Sequence, residues 1–265
     1  MCDTCGCSES DSRITVFGSG VHHHSHPDMP EHFHFHESDL HSHSHSTPRT
    51  VKVQTDILQH NQLVAERNRG MFEAKHIFAL NLVSSPGSGK TSLLERTISE
   101  LKNVFDFAVI EGDQQTMNDA EKIAKTGIPV VQVNTGNGCH LDSEMIYNAF
   151  KAVSPKENSI LMIENVGNLV CPSLFDLGET KRIVIMSVTE GEDKPLKYPT
   201  IFRSAQVCIF NKVDLLPHVD FNMEEAQDYA HRVNPNLEFY EISVKSGKGM
   251  QSWYNWLKQE TNGKI

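Results

Sequence analysis

The chain has 265 residues, 38% of them hydrophobic, and a formal charge of -10 at pH 7. That length suits one medium domain with an appendage. The acidic balance excludes non-specific nucleic-acid binding, and no run approaches the roughly 20 apolar residues that a membrane span needs. The first residues lack the basic-then-apolar pattern of a signal peptide, and the six Cys are grouped like metal ligands rather than like a disulfide framework. Both features point to a cytoplasmic protein.

At the chain start Cys2, Cys5 and Cys7 put three thiols close together, and Gly6 permits the reversal that turns them towards one ion. Thiolates with a nearby amine suit square-planar Ni²⁺ or tetrahedral Zn²⁺. Ten of the fifteen His follow, from His22 to His45, among Ser, Pro and acidic residues. Imidazoles at this density bind several borderline divalent ions. The interspersed Ser, Phe and Glu argue against an expression tag. Apolar residues are sparse up to about residue 50, so a disordered metal-binding tail is expected there without metal. From Val51 to Lys75 the residues Ile57, Leu58, Leu63, Val64 and Phe72 recur at broadly helical spacing, predicting one or two helices packed on the main domain.

Beyond this the chain alternates. Apolar runs read as strands at Ile77–Val83, Phe107–Glu111, Pro129–Asn134, Ile160–Glu164, Arg182–Val188, Val207–Phe210 and Leu237–Ile242. Helical stretches lie at Thr91–Lys102, Asn118–Lys125, Asp142–Ala152, Met223–Val233 and Met250–Glu260. Buried runs alternating with helices predict an α/β fold with a mainly parallel sheet flanked by helices. Ligands then bind beyond the C-terminal strand ends.

The first such end carries Ser84-Ser85-Pro86-Gly87-Ser88-Gly89-Lys90-Thr91-Ser92 between a strand and a helix. That is the context of a phosphate-binding loop. Gly87 and Gly89 let backbone N–H groups turn in on phosphate oxygens. Lys90 adds positive charge at the β/γ-phosphates, and Thr91 offers its hydroxyl to Mg²⁺. Asn211-Lys212-Val213-Asp214 follows another strand. The Asp214 carboxylate can accept from the ring N–H and the amine of guanine, a pair that adenine lacks, which predicts GTP over ATP. Ser243-Val244-Lys245 resembles the companion guanine-contacting loop. Glu164-Asn165-Val166-Gly167 sits where a GTPase places Asp-x-x-Gly, so Glu164 is expected near Mg²⁺ and the Gly167 N–H near the γ-phosphate. Asp113 is a second candidate beside Mg²⁺, with Glu111 a weaker one.

Cys139-His140 and Cys171 also lie just past strand ends. On spacing alone they read as a buried Cys and a capping His. Adjacent Cys-His does not easily complete a site within one chain, although two subunits could share an ion there. Cys208, inside an apolar strand, reads as core.

Together these motifs resemble the HypB family of hydrogenase nickel-incorporation GTPases, P-loop proteins that dimerise across the nucleotide. The resemblance rests on Cys2-x-x-Cys5-Gly6-Cys7, the His-rich segment, Asn81–Thr91, Glu111-Gly112-Asp113, Gly136–Leu141, Glu164–Pro172 and Thr189–Pro195, and covers nearly the whole chain. It implies GTP hydrolysis coupled to Ni²⁺ delivery into the large subunit of NiFe hydrogenase, with a HypA-type metallochaperone as partner and a GTP-dependent homodimer. It also implies that Cys139, His140 and Cys171 are ligands for Ni²⁺ or Zn²⁺, against the reading from spacing. A nickel store and a UreG-like urease maturation GTPase are the alternative functions. The expected organisation is a Cys/His-rich tail over 1–50, a helical segment over 51–76 and a P-loop GTPase domain over 77–265.

Overall fold

The structure, a computed structural model, describes residues 21–26, 29–35, 48–113, 118–136 and 138–261. Chain contacts divide the protein into two units, Met1–Thr55 and Asp56–Ile265. In the first, Val21–His26 (β1) pairs antiparallel with Met29–Phe35 (β2), with Val21 opposite Phe35 and an irregularity between His24 and His26. A structureless segment was expected here. The His/Phe alternation over residues 32–35 has the two-residue period that suits a strand. Cys2, Cys5, Cys7, His36, His41, His43 and His45 lie outside the described residues.

A single helix, α1 (Pro48–Ala74), covers this stretch, as one of the two arrangements expected. Its docked face differs from the predicted apolar stripe. Asn61, Ala65, Asn68 and Phe72 are buried, whereas Ile57, Leu58 and Leu63 are exposed. Each buried asparagine finds backbone partners in the domain, which offsets much of the cost of burying an amide, although Asn68 Oδ1 has no partner among the described residues.

The second unit is built on β3 (Phe78–Ser84), α2 (Lys90–Leu101), β4 (Phe107–Asp113), α3 (Asn118–Ala124), β5 (Val130–Asn134), α4 (Ser143–Val153), β6 (Ile160–Glu164), β7 (Lys181–Ser187), α5 (Lys194–Lys197), α6 (Pro199–Ser204), β8 (Val207–Asn211), α7 (Met223–Val233), β9 (Glu238–Glu241) and α8 (Met250–Thr261). The seven strands form one sheet in the order β5-β4-β6-β3-β7-β8-β9, with every pair parallel. The fold is that of a P-loop NTPase, as the alternation of elements predicted. β3 is central, with Phe78 beside Ile160 and Leu80 beside Lys181.

Alternate residues of β3 feed opposite layers. Phe78, Leu80 and Leu82 join Leu93, Leu94 and Ile98 of α2 and Trp253 of α8. Ala79 packs with Phe72 of α1 and with Ile146 and Phe150 of α4. Val83 meets Ile201 and Phe202 of α6 and Ala226 of α7. Cys208 is fully buried in this last layer, as core. No helix among the described residues is long and apolar enough to cross a membrane.

A buried ion pair ties the N-terminal end of β7 to the rest. The Arg182 guanidinium lies 2.7 Å from Glu179 Oε1 and donates to the carbonyl of Phe175 at 2.8 Å and to Ser204 Oγ at 2.9 Å. Glu179 also accepts from Asn81 Nδ2 at 3.0 Å and from the Leu177 N–H at 2.8 Å. Removing one partner strands the other without solvent. Arg182→Ala is therefore expected to destabilise the protein by about 3–5 kcal/mol, lowering the thermal midpoint by roughly 10 °C; a calorimetric or circular-dichroism melt measures this.

Candidate nucleotide site and metal centre

The loop from Ser84 to Gly89 joins β3 to α2, and Lys90 and Thr91 open that helix. Pro86 and Gly87 are exposed, so the mouth of the loop is open, while Ser88 is buried; Ser92 is exposed on the first turn. Lys90 Nζ bends back to Ser84 Oγ at 2.9 Å, so the Ser at the first loop position has a role in holding the lysine. Burial pulls the Lys90 ammonium below its usual value, with Glu164 opposing.

Gly89 has φ +100°, and a Cβ there would lie 2.5 Å from Asn211 Nδ2. The glycine is required both for the left-handed backbone and for the approach of Asn211. Asn211 joins three loops: its Nδ2 donates to the Ser88 carbonyl at 2.9 Å, and its Oδ1 accepts from Lys212 N at 2.7 Å and from Val244 N at 3.3 Å. Lys212, itself left-handed at φ 62°, donates from Nζ to the Gly87 carbonyl at 2.7 Å. Asp214 lies in the 3₁₀ turn Val213–His218, whose first N–H is held by the Ile242 carbonyl at 3.1 Å. Ser243 is buried and its Oγ accepts from Ser246 N at 3.0 Å, closing the turn that presents Val244 and Lys245. Arg96 of α2 donates to the Val244 carbonyl. Asn211, Lys212, Asp214 and the Ser243–Lys245 turn thus converge on one side of the phosphate loop.

On its other side stand the acidic strand ends. Glu111 and Glu164 are register neighbours on β4 and β6. Thr91 Oγ1 donates to Glu164 Oε1 at 2.7 Å. Glu111 Oε2 and Glu164 Oε2 are buried without a hydrogen-bond partner among the described residues. Burial, then repulsion from Glu164, Asp113 and Asp119, pushes the Glu111 carboxyl up to about 8. Burial pushes Glu164 up to about 7, against the pull of Lys90 and the Thr91 hydrogen bond. Asp113 ends β4 in this cluster. Gly167 abuts the phosphate loop, since a Cβ there would lie 3.2 Å from Pro86 Cα.

Two contributors went unassigned in the sequence reading. Lys194 Nζ donates to Ser85 Oγ and pairs with Glu190; it lies in the Thr189–Pro195 motif, which named the residue but not its contact. Asp119, at the start of α3, bears on Lys90, Glu111 and Glu164 electrostatically, and nothing local in the sequence singled it out.

Cys139, His140 and Cys171 come together. Their ligand atoms all lie within 4.8 Å of one another. Cys139 Sγ is 3.7 Å from His140 Nδ1, and the His140 ring stacks on Phe175 with centroids 3.9 Å apart. Burial lowers the His140 pKa below its ordinary value, which favours the neutral, ligand-competent imidazole. Asn168 donates to the Cys139 carbonyl at 3.4 Å, and Asn165 Oδ1 accepts from Leu141 N at 3.2 Å. Asn165 and Asn168 flank Gly167, so the loop against Pro86 is also the loop against the Cys/His cluster.

Residues 78–241 match the CobW/HypB/UreG nucleotide-binding domain. The chain is 47% identical over its full length to the hydrogenase maturation factor HypB of Azotobacter vinelandii, covering 94% of that protein. The chain belongs to the HypB family. It is accordingly a hydrogenase maturation factor with a P-loop nucleotide-binding domain. The solved structure of HypB from Archaeoglobus fulgidus superposes with a TM-score of 0.72 at 39% identity, covering 77% of this chain and 99% of that one. HypB from Helicobacter pylori in complex with nickel gives a TM-score of 0.72 at 37% identity, over 77% of this chain and 95% of that one.

The raised carboxyls of this HypB-family chain give a pH signature. A folded-state carboxyl held above its unfolded value keeps a proton that the unfolded chain releases, so stability falls as pH rises between the two values. Nucleotide-free protein should lose thermal stability from about pH 5 to about pH 8. Glu111→Gln should flatten that slope and raise the midpoint at pH 8. Melting curves across this range in the two proteins provide the check, and parallel slopes would dismiss the assignment.

Proposed function

We propose that this chain is a GTP-hydrolysing nickel metallochaperone that delivers Ni²⁺ into the large subunit of NiFe hydrogenase. The observation that carries the reading is Asn165. It stands on the loop whose Gly167 packs on the phosphate loop at Pro86, and its side chain holds Leu141 beside His140. One loop thus touches both the nucleotide cradle and the candidate cargo site.

The residues fit a magnesium nucleotide. The buried, unpartnered oxygens of Glu111 and Glu164 beside Thr91 are hard donors of the kind Mg²⁺ takes, and binding the cation would favour their ionised form. Bound Mg²⁺ would supply charge neutralisation at the phosphates. Lys90 and the N-terminus of α2 would hold the β/γ-phosphates, and Asp214 with the Ser243–Lys245 turn would read guanine. Two soft thiols and a neutral imidazole suit Ni²⁺ or Zn²⁺ as cargo. A ligand shifts a conformational equilibrium only by its differential affinity, so GTP and GDP would have to give the Cys139–His140–Cys171 cluster different metal affinities. A GTP-dependent homodimer bringing two clusters together, with a HypA-type partner receiving the ion, completes the reading. Cys2, Cys5, Cys7 and the His segment would form further nickel sites. Nickel storage as the sole role does not account for the nucleotide loops.

Three measurements test this. GTP should outcompete ATP for the unaltered protein, and Asp214→Asn should shift preference towards xanthine nucleotides; equal affinity for ATP and GTP would end the guanine assignment. Lys90→Ala should abolish hydrolysis while leaving metal bound at Cys2, Cys5 and Cys7. In a chain with those three cysteines changed to Ser, Ni²⁺ affinity should differ between GDP and a non-hydrolysable GTP analogue, and identical affinities would leave the cluster a static site. Assays of hydrogenase and urease in a deletion strain, with and without added nickel, separate the two client enzymes.

A further inference from the structure

We infer that Asn61 and Asn68 of α1 are positioning residues for the Cys139–His140–Cys171 cluster, holding the two chain segments that carry it at one fixed separation. The inference rests on the metal reading above and deepens it.

The cluster is assembled from distant segments. Cys139 and His140 precede α4, which begins at Ser143; Cys171 opens a 3₁₀ turn that leads to Phe175, Asp176 and Leu177. Each asparagine bridges the two segments. Asn61 Oδ1 accepts from Ser143 N at 2.9 Å, its backbone carbonyl accepts from Ser143 Oγ at 2.8 Å, and its Nδ2 donates to the Asp176 carbonyl at 2.8 Å. Asn68 Nδ2 donates to the Ser143 carbonyl at 2.8 Å and to the Leu177 carbonyl at 3.1 Å. Asn68 is fully buried and Asn61 nearly so, so neither amide can exchange these partners for water. Arg69 adds contacts to the Asp176 carboxylate at 2.7 Å and to the Glu179 carbonyl at 3.0 Å.

The held points are close to the ligands. Ser143 is three residues past His140. Asp176 and Leu177 directly follow Phe175, whose ring stacks on the His140 ring. Displacing α1 would therefore release His140 from both sides and let the Cys171 segment drift from it. Gly178 offers an independent way to do this. It has φ +85°, and a Cβ there would lie 2.6 Å from the Ala65 carbonyl oxygen, 2.7 Å from Asn68 Cβ and 2.9 Å from Arg69 N. Gly178→Ala thus wedges the helix away without touching either asparagine.

The test uses full-length protein with Cys2, Cys5 and Cys7 changed to Ser, titrated with Co²⁺. Thiolate-to-cobalt charge-transfer absorption reports Cys ligation and is blind to the imidazoles of the His segment. The parent should show the band, and Cys171→Ala should remove it. Asn61→Ala with Asn68→Ala, and separately Gly178→Ala, should weaken Co²⁺ binding by about 10–100-fold and change the band's intensity, while guanine-nucleotide affinity stays unchanged. If the double variant does not fold, the single asparagine variants and Gly178→Ala decide. A parent band that these variants leave unaltered overturns the positioning role alone, as does a loss of metal and nucleotide affinity in equal measure. A parent with no band overturns the metal reading and this inference with it.

Discussion

Asn81, at the centre of β3 and fully buried, is the constraint on which the site's arrangement depends. Its Nδ2 donates to Glu179 and its Oδ1 accepts from Asn165 at 3.3 Å. Asn165 continues to Leu141, beside His140. Glu179 continues through Arg182 to the carbonyl of Phe175, whose ring lies on His140. A chain of buried polar groups thus leaves the middle of the sheet in two directions and meets again at the same imidazole. Each member is costly to bury alone, and each is tolerated because the next satisfies it. The arrangement resists intermediate geometries, since a partly satisfied network inside a dry core is worse than either complete alternative.

The nucleotide cradle follows a different strategy. Its close approaches depend on the absence of side chains, and hydrogen bonds from Asn211 and Lys212 then brace the loop. Gly89 leaves room for the Asn211 amide, and Gly167 lets its loop lie on Pro86. Glu111 Oε2 and Glu164 Oε2 lie buried there without a hydrogen-bond partner among the described residues. A folded chain keeps such buried, unsatisfied polar atoms at a cost in stability, and groups of this kind gather at functional sites.

Much of this was legible beforehand. Ile160–Glu164 and Met223–Val233 occupy the bounds read from their apolar patterns, and the Ser84–Thr91 and Asn211–Asp214 motifs fall at the ends of β3 and β8, where strand ends were expected. The docking of α1 was not legible, because periodicity searches for apolar stripes and this helix docks through Asn61 and Asn68 while leaving Ile57, Leu58 and Leu63 outside. Spacing likewise favoured separate roles for Cys139, His140 and Cys171. Their proximity depends on sheet order: β5 and β6 stand on either side of β4, so the loops that follow them meet across its end. Lys194 and Arg182 act through partners roughly a hundred positions away or around a tight turn, and local pattern carries neither fact.

The strand order also has a consequence during synthesis. The phosphate loop follows β3 early in the chain, yet both neighbours of β3 come late, since Phe78 pairs with Ile160 and Leu80 with Lys181. Asn211, which braces the loop through Ser88, comes later still. A nascent chain therefore exposes an unsupported glycine-rich segment on the ribosome until most of its length has emerged, and such non-local pairing is slow to form. Capacity to hold a nucleotide therefore arrives late in synthesis, once the strands on both sides of β3 have emerged to pair with it.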